Sequence, residues 1–273
     1  MLLTRVITAV CLLLLILPIL FLAPPSALAA LVAVIVLLGG WEFGRLIGLR
    51  RPWPQVYAVI CLLVLIAWHV TATGRAGDWL LEASLVAWGV ALVLLARGVR
   101  KATPGFTALG VVLGLVMLPA FGHAVMVLRA AGVAVLLTAA VLVWAADIGA
   151  YFVGKAVGRR KLAPTISPGK SWEGAIGGWL LAMILSLGLA ASQAFAPTWY
   201  SMIAEKGGLG FLAALTTLLV AASIVGDLFE SLLKRQVGMK DSSRLLPGHG
   251  GILDRIDALI PVFPLAALLL AWV

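Results

Sequence analysis

Residues 131–154 read AGVAVLLTAAVLVWAADIGAYFVG, 24 residues with a single charged side chain, Asp147. About 20 consecutive apolar residues cross the hydrocarbon core of a bilayer. In that medium a lone segment can satisfy its backbone polar groups only by coiling into a helix. The stretch is therefore read as a spanning helix, and the same texture recurs on both sides of it. Apolar stretches lie at 5–23, 27–45, 55–73, 79–97, 106–122, 174–195, 209–233 and 256–273. With the first, that makes about nine spans. Of the 273 residues, 63% are hydrophobic and 11% charged; a soluble domain has about 45–50% and 25%. The connections are too short to hold a soluble domain. The expected fold is all-α, a polytopic transmembrane helical bundle.

The net charge of +9 could suggest a nucleic-acid partner, but its distribution does not. With the N-terminus placed in the cytoplasm and nine spans threaded, 17 of the 20 basic residues fall inside. They are Arg5, Arg45, Arg50, Arg51, Arg97, Arg100, Lys101, Lys155, Arg159, Arg160, Lys161, Lys170, Lys234, Arg235, Lys240, Arg244 and Arg255. Arg75, Arg129 and Lys206 remain outside. This is the positive-inside pattern, so the basicity reports topology plus a local anion site, and no nucleic acid is expected. A multi-pass plasma (inner) membrane location is expected, with the site facing the cytoplasm. Arg5, the apolar run and Ala27–Ala30 imitate a cleaved signal peptide. Hydrophobicity resumes at once, and the segment is read as two uncleaved spans. Cys11 and Cys61 sit in apolar stretches without metal-ligand spacing and read as small apolar residues.

Polar residues are distributed unevenly. Residues 1–140 read as structural spans, with Glu42 and Arg45 as a snorkelling pair at a helix end. Residues 141–273 carry the chemistry, because ionisable groups are costly in hydrocarbon and usually mark a site. Three clusters stand out there. Asp147, Tyr151 and Lys155 are spaced i, i+4, i+8 on one helical face. The segment Gly158–Gly174 holds Arg159, Arg160, Lys161, Lys170, Ser171 and Glu173. Its Gly-Lys-Ser is not a P-loop, because the Walker pattern needs glycine where Pro164 stands. It reads instead as a basic loop opening a helix near Ser171, suited to a phosphate.

The third cluster begins with Asp227, Glu230, Ser231 and Lys234, a stripe at i, i+3, i+4, i+7. Asp254 and Asp257 follow at i, i+3 on the opening of the last span. Asp227, Asp254 and Asp257 make an oxygen set for Mg²⁺, which is commonly held by a few carboxylates plus water and phosphate. Lys234, Arg235, Lys240 and Arg244 can neutralise phosphate oxygens. Gly250 and Gly251 lie in a small-residue turn that lets backbone approach a ligand. His249 either donates to a phosphate or shapes that turn. Carboxylate-held metal plus basic clamps is the equipment of phosphoryl or nucleotidyl transfer.

Residues 231–257 read SLLKRQVGMKDSSRLLPGHGGILDRID. Taken as S-x-x-K-R-x-x-x-x-K-D-x-x-x-x-x-P-G-H-G-G-x-L-D-R-x-D, the block resembles the signature of phosphatidate cytidylyltransferases, the CDP-diacylglycerol synthases. The Asp147–Tyr151 face, the Ser167–Gly174 loop and Trp41-Glu42-Phe43 also resemble that family, although Gly169 stands where it usually has lysine. The resemblance implies CTP and phosphatidic acid as substrates, with CDP-diacylglycerol and pyrophosphate as products. It assigns Asp227, Asp254, Asp257 and Ser231 to metal, with a monovalent cation nearby. Lys234, Arg235 and Lys240 would hold CTP and pyrophosphate. Lys170, Ser171, Arg159 and Arg160 would meet the lipid headgroup, and Asp241 and Arg255 would orient the others. A homodimer is implied as well. Two other readings are weighed: a CTP-dependent polyprenol or phytol kinase, and an ion-coupled transporter. The D-G-x-x-A-R pattern of CDP-alcohol phosphotransferases is absent.

Overall fold

A computed structural model describes residues 2–71, 78–100, 103–192 and 195–271. Arg75 and Lys101, assigned above to opposite sides of the membrane, lie outside these ranges. The first six helices are α1 (Leu2–Phe21), α2 (Pro25–Leu46), α3 (Trp53–Thr71), α4 (Asp78–Arg97), α5 (Pro104–Ala131) and α6 (Val133–Val157). A hairpin of β1 (Lys161–Ala163) and β2 (Ser167–Ser171) follows. The chain closes with α7 (Trp172–Ser192), α8 (Trp199–Gln236), the single turn α9 (Leu253–Ile256) and α10 (Leu259–Ala271).

Among the described residues the architecture is all-α apart from the hairpin, and an apolar helix overlaps each of the nine stretches read from the sequence. Seven of these helices are long and apolar enough to cross a membrane; Val6–Phe21 and Leu259–Ala271 are shorter. At 1.5 Å per residue the 13 residues of α10 rise about 20 Å, against a core of about 30 Å.

Local chemistry explains where elements begin and end. Thr103 caps α5 by accepting from the Phe106 N–H, and Pro104 occupies the first turn, where no N–H is needed. The helix runs to Ala131, nine residues beyond the expected end at 122. Thr198 and Ser201 form a reciprocal capping box at the start of α8. That helix is interrupted at Gly208, whose φ of 76° is left-handed. The span expected from 209 is therefore the longer arm of a kinked helix. The last span starts later than expected: Asp254 lies on the separate turn α9, and α10 begins only at Leu259.

Helices α5 and α10 form the centre, flanked by α2, α3, α4, α6 and α8. Phe121 stacks on Phe263 at 5.7 Å, and Trp88 meets Phe229 edge-on at 5.7 Å. The indole of Trp199 donates to the Ala266 carbonyl (3.0 Å) and Tyr200 to that of Thr138 (2.7 Å), so both aromatic bodies are buried with their polar tips satisfied. Helices α6 and α7 approach backbone to backbone. A Cβ on Gly178 would strike the carbonyl of Ala146, which is why only glycine fits there. That approach lets the hairpin between them fold back beside α8.

Candidate active site

The polar stripe of α8 forms as its spacing predicts. Ser231 donates to Asp227 (3.3 Å), and Lys234 pairs with Glu230 (2.5 Å) one turn back. Lys234 also reaches across to Asp254 on α9 at 2.7 Å. Asp227 is held from a third direction, by Lys170 of β2 at 2.6 Å. Two ammonium groups thus stitch together the hairpin, α8 and α9.

Asp254 is the hub of the loop between α8 and α10. Besides Lys234, it accepts from the Ser242 N–H (2.9 Å), the Ser242 hydroxyl (2.9 Å) and the Gly251 N–H (2.7 Å). Burial alone would raise its pKa, but the hydrogen bonds from Lys234 and Gly251 and the Lys234 charge hold it at about 2. It is ionised throughout the neutral range.

Two concave regions are formed by these elements. A cavity of about 420 Å³ lies between α6, β2, α7 and α8; Asp147, Tyr151, Lys155, Lys170, Ser171 and Asp227 all line it. Asp147 feels the charges of Asp227 and Lys170, so the i, i+4, i+8 face of α6 and Asp227, the first residue of the α8 stripe, converge there. The second region, about 710 Å³ over the loop, is lined by Lys240, Asp241, Arg244, His249, Gly250 and Arg255, among others. A bowl of about 670 Å³ adjoins it, where Trp41 and Arg45 meet Lys240 and Arg244. Four basic side chains against one acid make this face attractive to a polyanion.

Several residues assigned to substrate contacts have partners within the protein. Glu173 accepts from the backbone N–H groups of Arg159 (3.1 Å) and Arg160 (3.2 Å), fastening the end of α6 to the start of α7. The Arg159 and Arg160 side chains are exposed, and neither lines the cavity. The expected basic loop folds as a β-hairpin, registered Lys161 to Ser171 and Ala163 to Ser167. Ser171 does open the helix, its hydroxyl accepting from the Gly174 N–H at 3.1 Å. Arg235 donates to the Ile166 carbonyl (3.3 Å), bracing the hairpin against α8. Arg255 donates to the His249 carbonyl (2.7 Å) and so helps to shape the turn. Gly250 is left-handed, φ 86°. Gly251 is buried with no space for a Cβ, which would run into the Ser242 hydroxyl and the Glu42 carboxylate.

Among the described residues, no group of three or more His, Cys, Asp or Glu is gathered as a ready metal cage. Lys234 occupies the space between Glu230 and Asp254, and Lys170 engages Asp227. The donor chemistry nevertheless suits a cation. Asp227, Glu230, Asp254 and Asp257 act on one another electrostatically, with Lys170 and Lys234 as the paired cations. One buried oxygen of Glu230 has no donor, a deficit that added positive charge would relieve.

The residue that sequence reasoning placed wrongly is Glu42. It is wholly buried and does not pair with Arg45. It accepts from the hydroxyls of Ser242 (3.1 Å) and Ser243 (2.5 Å) and from the N–H groups of Ile252 (3.0 Å) and Leu253 (2.6 Å). Arg45 instead donates to the Ser242 carbonyl at 3.2 Å and lies over the Trp41 ring at 4.8 Å. Helix α2 therefore reaches the loop, although residues 1–140 read as structural spans. The signal available in the sequence was an acid inside an apolar run.

Compared with known proteins, residues 3–273 match the cytidylyltransferase family. The chain belongs to that family. A phosphatidate cytidylyltransferase of Pseudomonas aeruginosa is 40% identical over 274 residues, covering 97% of this chain and 96% of the relative. One from Haemophilus influenzae is 38% identical over 285 residues, covering 95% of each. A third, from Brucella suis, is 50% identical over 119 residues, 44% of this chain and 40% of the relative. The likeness to the first two runs nearly end to end, so it takes in the apolar N-terminal half as well as the polar loop.

Proposed function

We propose that this chain is a phosphatidate cytidylyltransferase, joining CTP and phosphatidic acid to give CDP-diacylglycerol and pyrophosphate. The observation that carries the reading is the position of the Lys234–Asp254 pair. Lys234 shares helix α8 with Asp227, which lines the cavity among apolar helices, and its partner Asp254 sits beside Gly250, which lines the basic region over the loop. A lipid phosphate and a nucleoside triphosphate need two such neighbouring places.

A phosphate oxygen of the lipid attacks the α-phosphorus of CTP in line. The new P–O bond forms as the bond to the β-phosphate breaks, and the electron pair leaves with pyrophosphate. No general base is required, because a phosphate monoester, with a second pKa of about 6, is already largely ionised at pH 7. Both reactants are anions, so the work is alignment and charge neutralisation. Lys170 and Ser171 meet the headgroup in the cavity, while the acyl chains stay in lipid. Lys234, Lys240 and Arg244 receive the triphosphate and the departing pyrophosphate, with Arg235, Asp241, His249 and Arg255 shaping that side. Asp227, Asp254 and Asp257, with Ser231, would hold Mg²⁺, which supplies charge neutralisation at the phosphates when bound. A neighbouring monovalent cation, a homodimeric assembly and a cytoplasm-facing site complete the proposal.

The test uses purified chain in detergent micelles with phosphatidic acid, Mg²⁺ and CTP labelled at the α- and γ-phosphates, beside Asp254→Asn. The α-label should enter lipid with labelled pyrophosphate released, and Asp254→Asn should abolish this. Transfer of the γ-label to an added lipid alcohol, with CDP left over, would assign the lipid-kinase reading instead.

A further inference from the structure

Glu42 is a fully buried carboxylate in a spanning helix, and its partner is not a cation. Its four hydrogen bonds come from two parts of one loop, Ser242 and Ser243 inside it and Ile252 and Leu253 where it enters α9. A carboxylate is an acceptor with about four lone-pair sites, and here it meets three donors of its own and shares a fourth with Asp254. The same loop is gripped from the other side by Asp254, through the Ser242 N–H, the Ser242 hydroxyl and the Gly251 N–H. The Ser242 hydroxyl has one proton and two carboxylate acceptors, Asp254 at 2.9 Å and Glu42 at 3.1 Å. It is the shared member of both clamps. Asp254 in turn fixes Lys234.

From this chain of contacts we infer that Glu42 is a positioning residue for the transfer reaction. It sets the place of Asp254 and Lys234 through Ser242, without touching substrate. The inference rests on the cytidylyl-transfer reading given above. Its chemical logic is specific to a carboxylate. A glutamine at 42 would turn an NH2 donor toward hydroxyl and N–H donors, whereas an aspartate keeps the acceptors one methylene short. Arg45, one turn along α2, adds a bond to the Ser242 carbonyl, so the helix holds this part of the loop through two side chains.

The experiment measures kcat and KM for both substrates, normalised to folded protein, on full-length wild type, Glu42→Gln, Glu42→Asp, Ser242→Ala and the Glu42→Gln/Ser242→Ala double variant. Glu42→Gln should lower kcat roughly 10- to 100-fold while KM for the lipid stays within about twofold. Glu42→Asp should recover part of that loss, and the double variant should be no worse than the poorer single one. Activity that falls only with the folded fraction would overturn the inference, as would losses that multiply in the double variant. If Glu42→Gln does not fold, Ser242→Ala and Ser243→Ala decide the matter: unchanged kcat in both overturns it. Wild type that makes no CDP-lipid would instead bring down the functional reading itself.

Discussion

Replacing Lys234 by Met tests how the site is held together. Lys234 serves two carboxylates, Glu230 at 2.5 Å and Asp254 at 2.7 Å, and the three side chains are 12%, 4% and 7% exposed. The loss is not shared equally. Asp254 keeps three donors, Ser242 N–H, Ser242 hydroxyl and Gly251 N–H. Glu230 keeps none, since its other oxygen already lacks one. Removing one member of a buried pair costs about 3–5 kcal/mol, mostly for the charge left behind. Lys234→Met should be destabilised by that amount. Adding Glu230→Leu removes the orphaned charge, so the double variant should recover about 1–3 kcal/mol. Unfolding of the purified chain in mixed micelles, followed by tryptophan fluorescence against denaturing detergent, measures both. A double variant as unstable as the single one would refute the reasoning. Both should lack transferase activity, so recovered stability without recovered turnover would separate the two roles of Lys234.

Gly251→Ala pushes a methyl group into the Ser242 hydroxyl and the Glu42 carboxylate. It should cost about 1–3 kcal/mol and lower turnover roughly 10- to 100-fold, read by thermal midpoint and initial rates; wild-type behaviour would mean that the loop is not clamped. Gly169→Lys has open space around it at the cavity edge. The variant should fold as wild type and lower KM for the lipid by up to about fivefold, the reach of a partly exposed ion pair. An unchanged KM across salt concentrations would show that position 169 does not face the headgroup.

What the sequence could reveal followed from covalent geometry. Apolar runs became helices because a bilayer leaves the backbone no other partner. Asp227, Ser231 and Lys234 shared a face because helical residues four and seven apart must do so, and Asp147 with Tyr151 likewise. The residues 231–257 stood out because charge is rare elsewhere in this chain. Other features depended on how helices pack. Glu42 lies 200 residues from Ser242, and its span composition is equally consistent with pairing to Arg45 one turn away. The partners of Asp254 and Asp227, Lys234 and Lys170, depend on where α9 and the hairpin come to rest against α8. The hairpin itself needed α6 and α7 brought together at their glycines. Composition and local spacing thus determined the helices and the polar faces, because both are fixed within a few residues. The tertiary structure alone decided which charges meet, because a carboxylate's partner is whichever donor the packing of distant helices brings within about 3 Å.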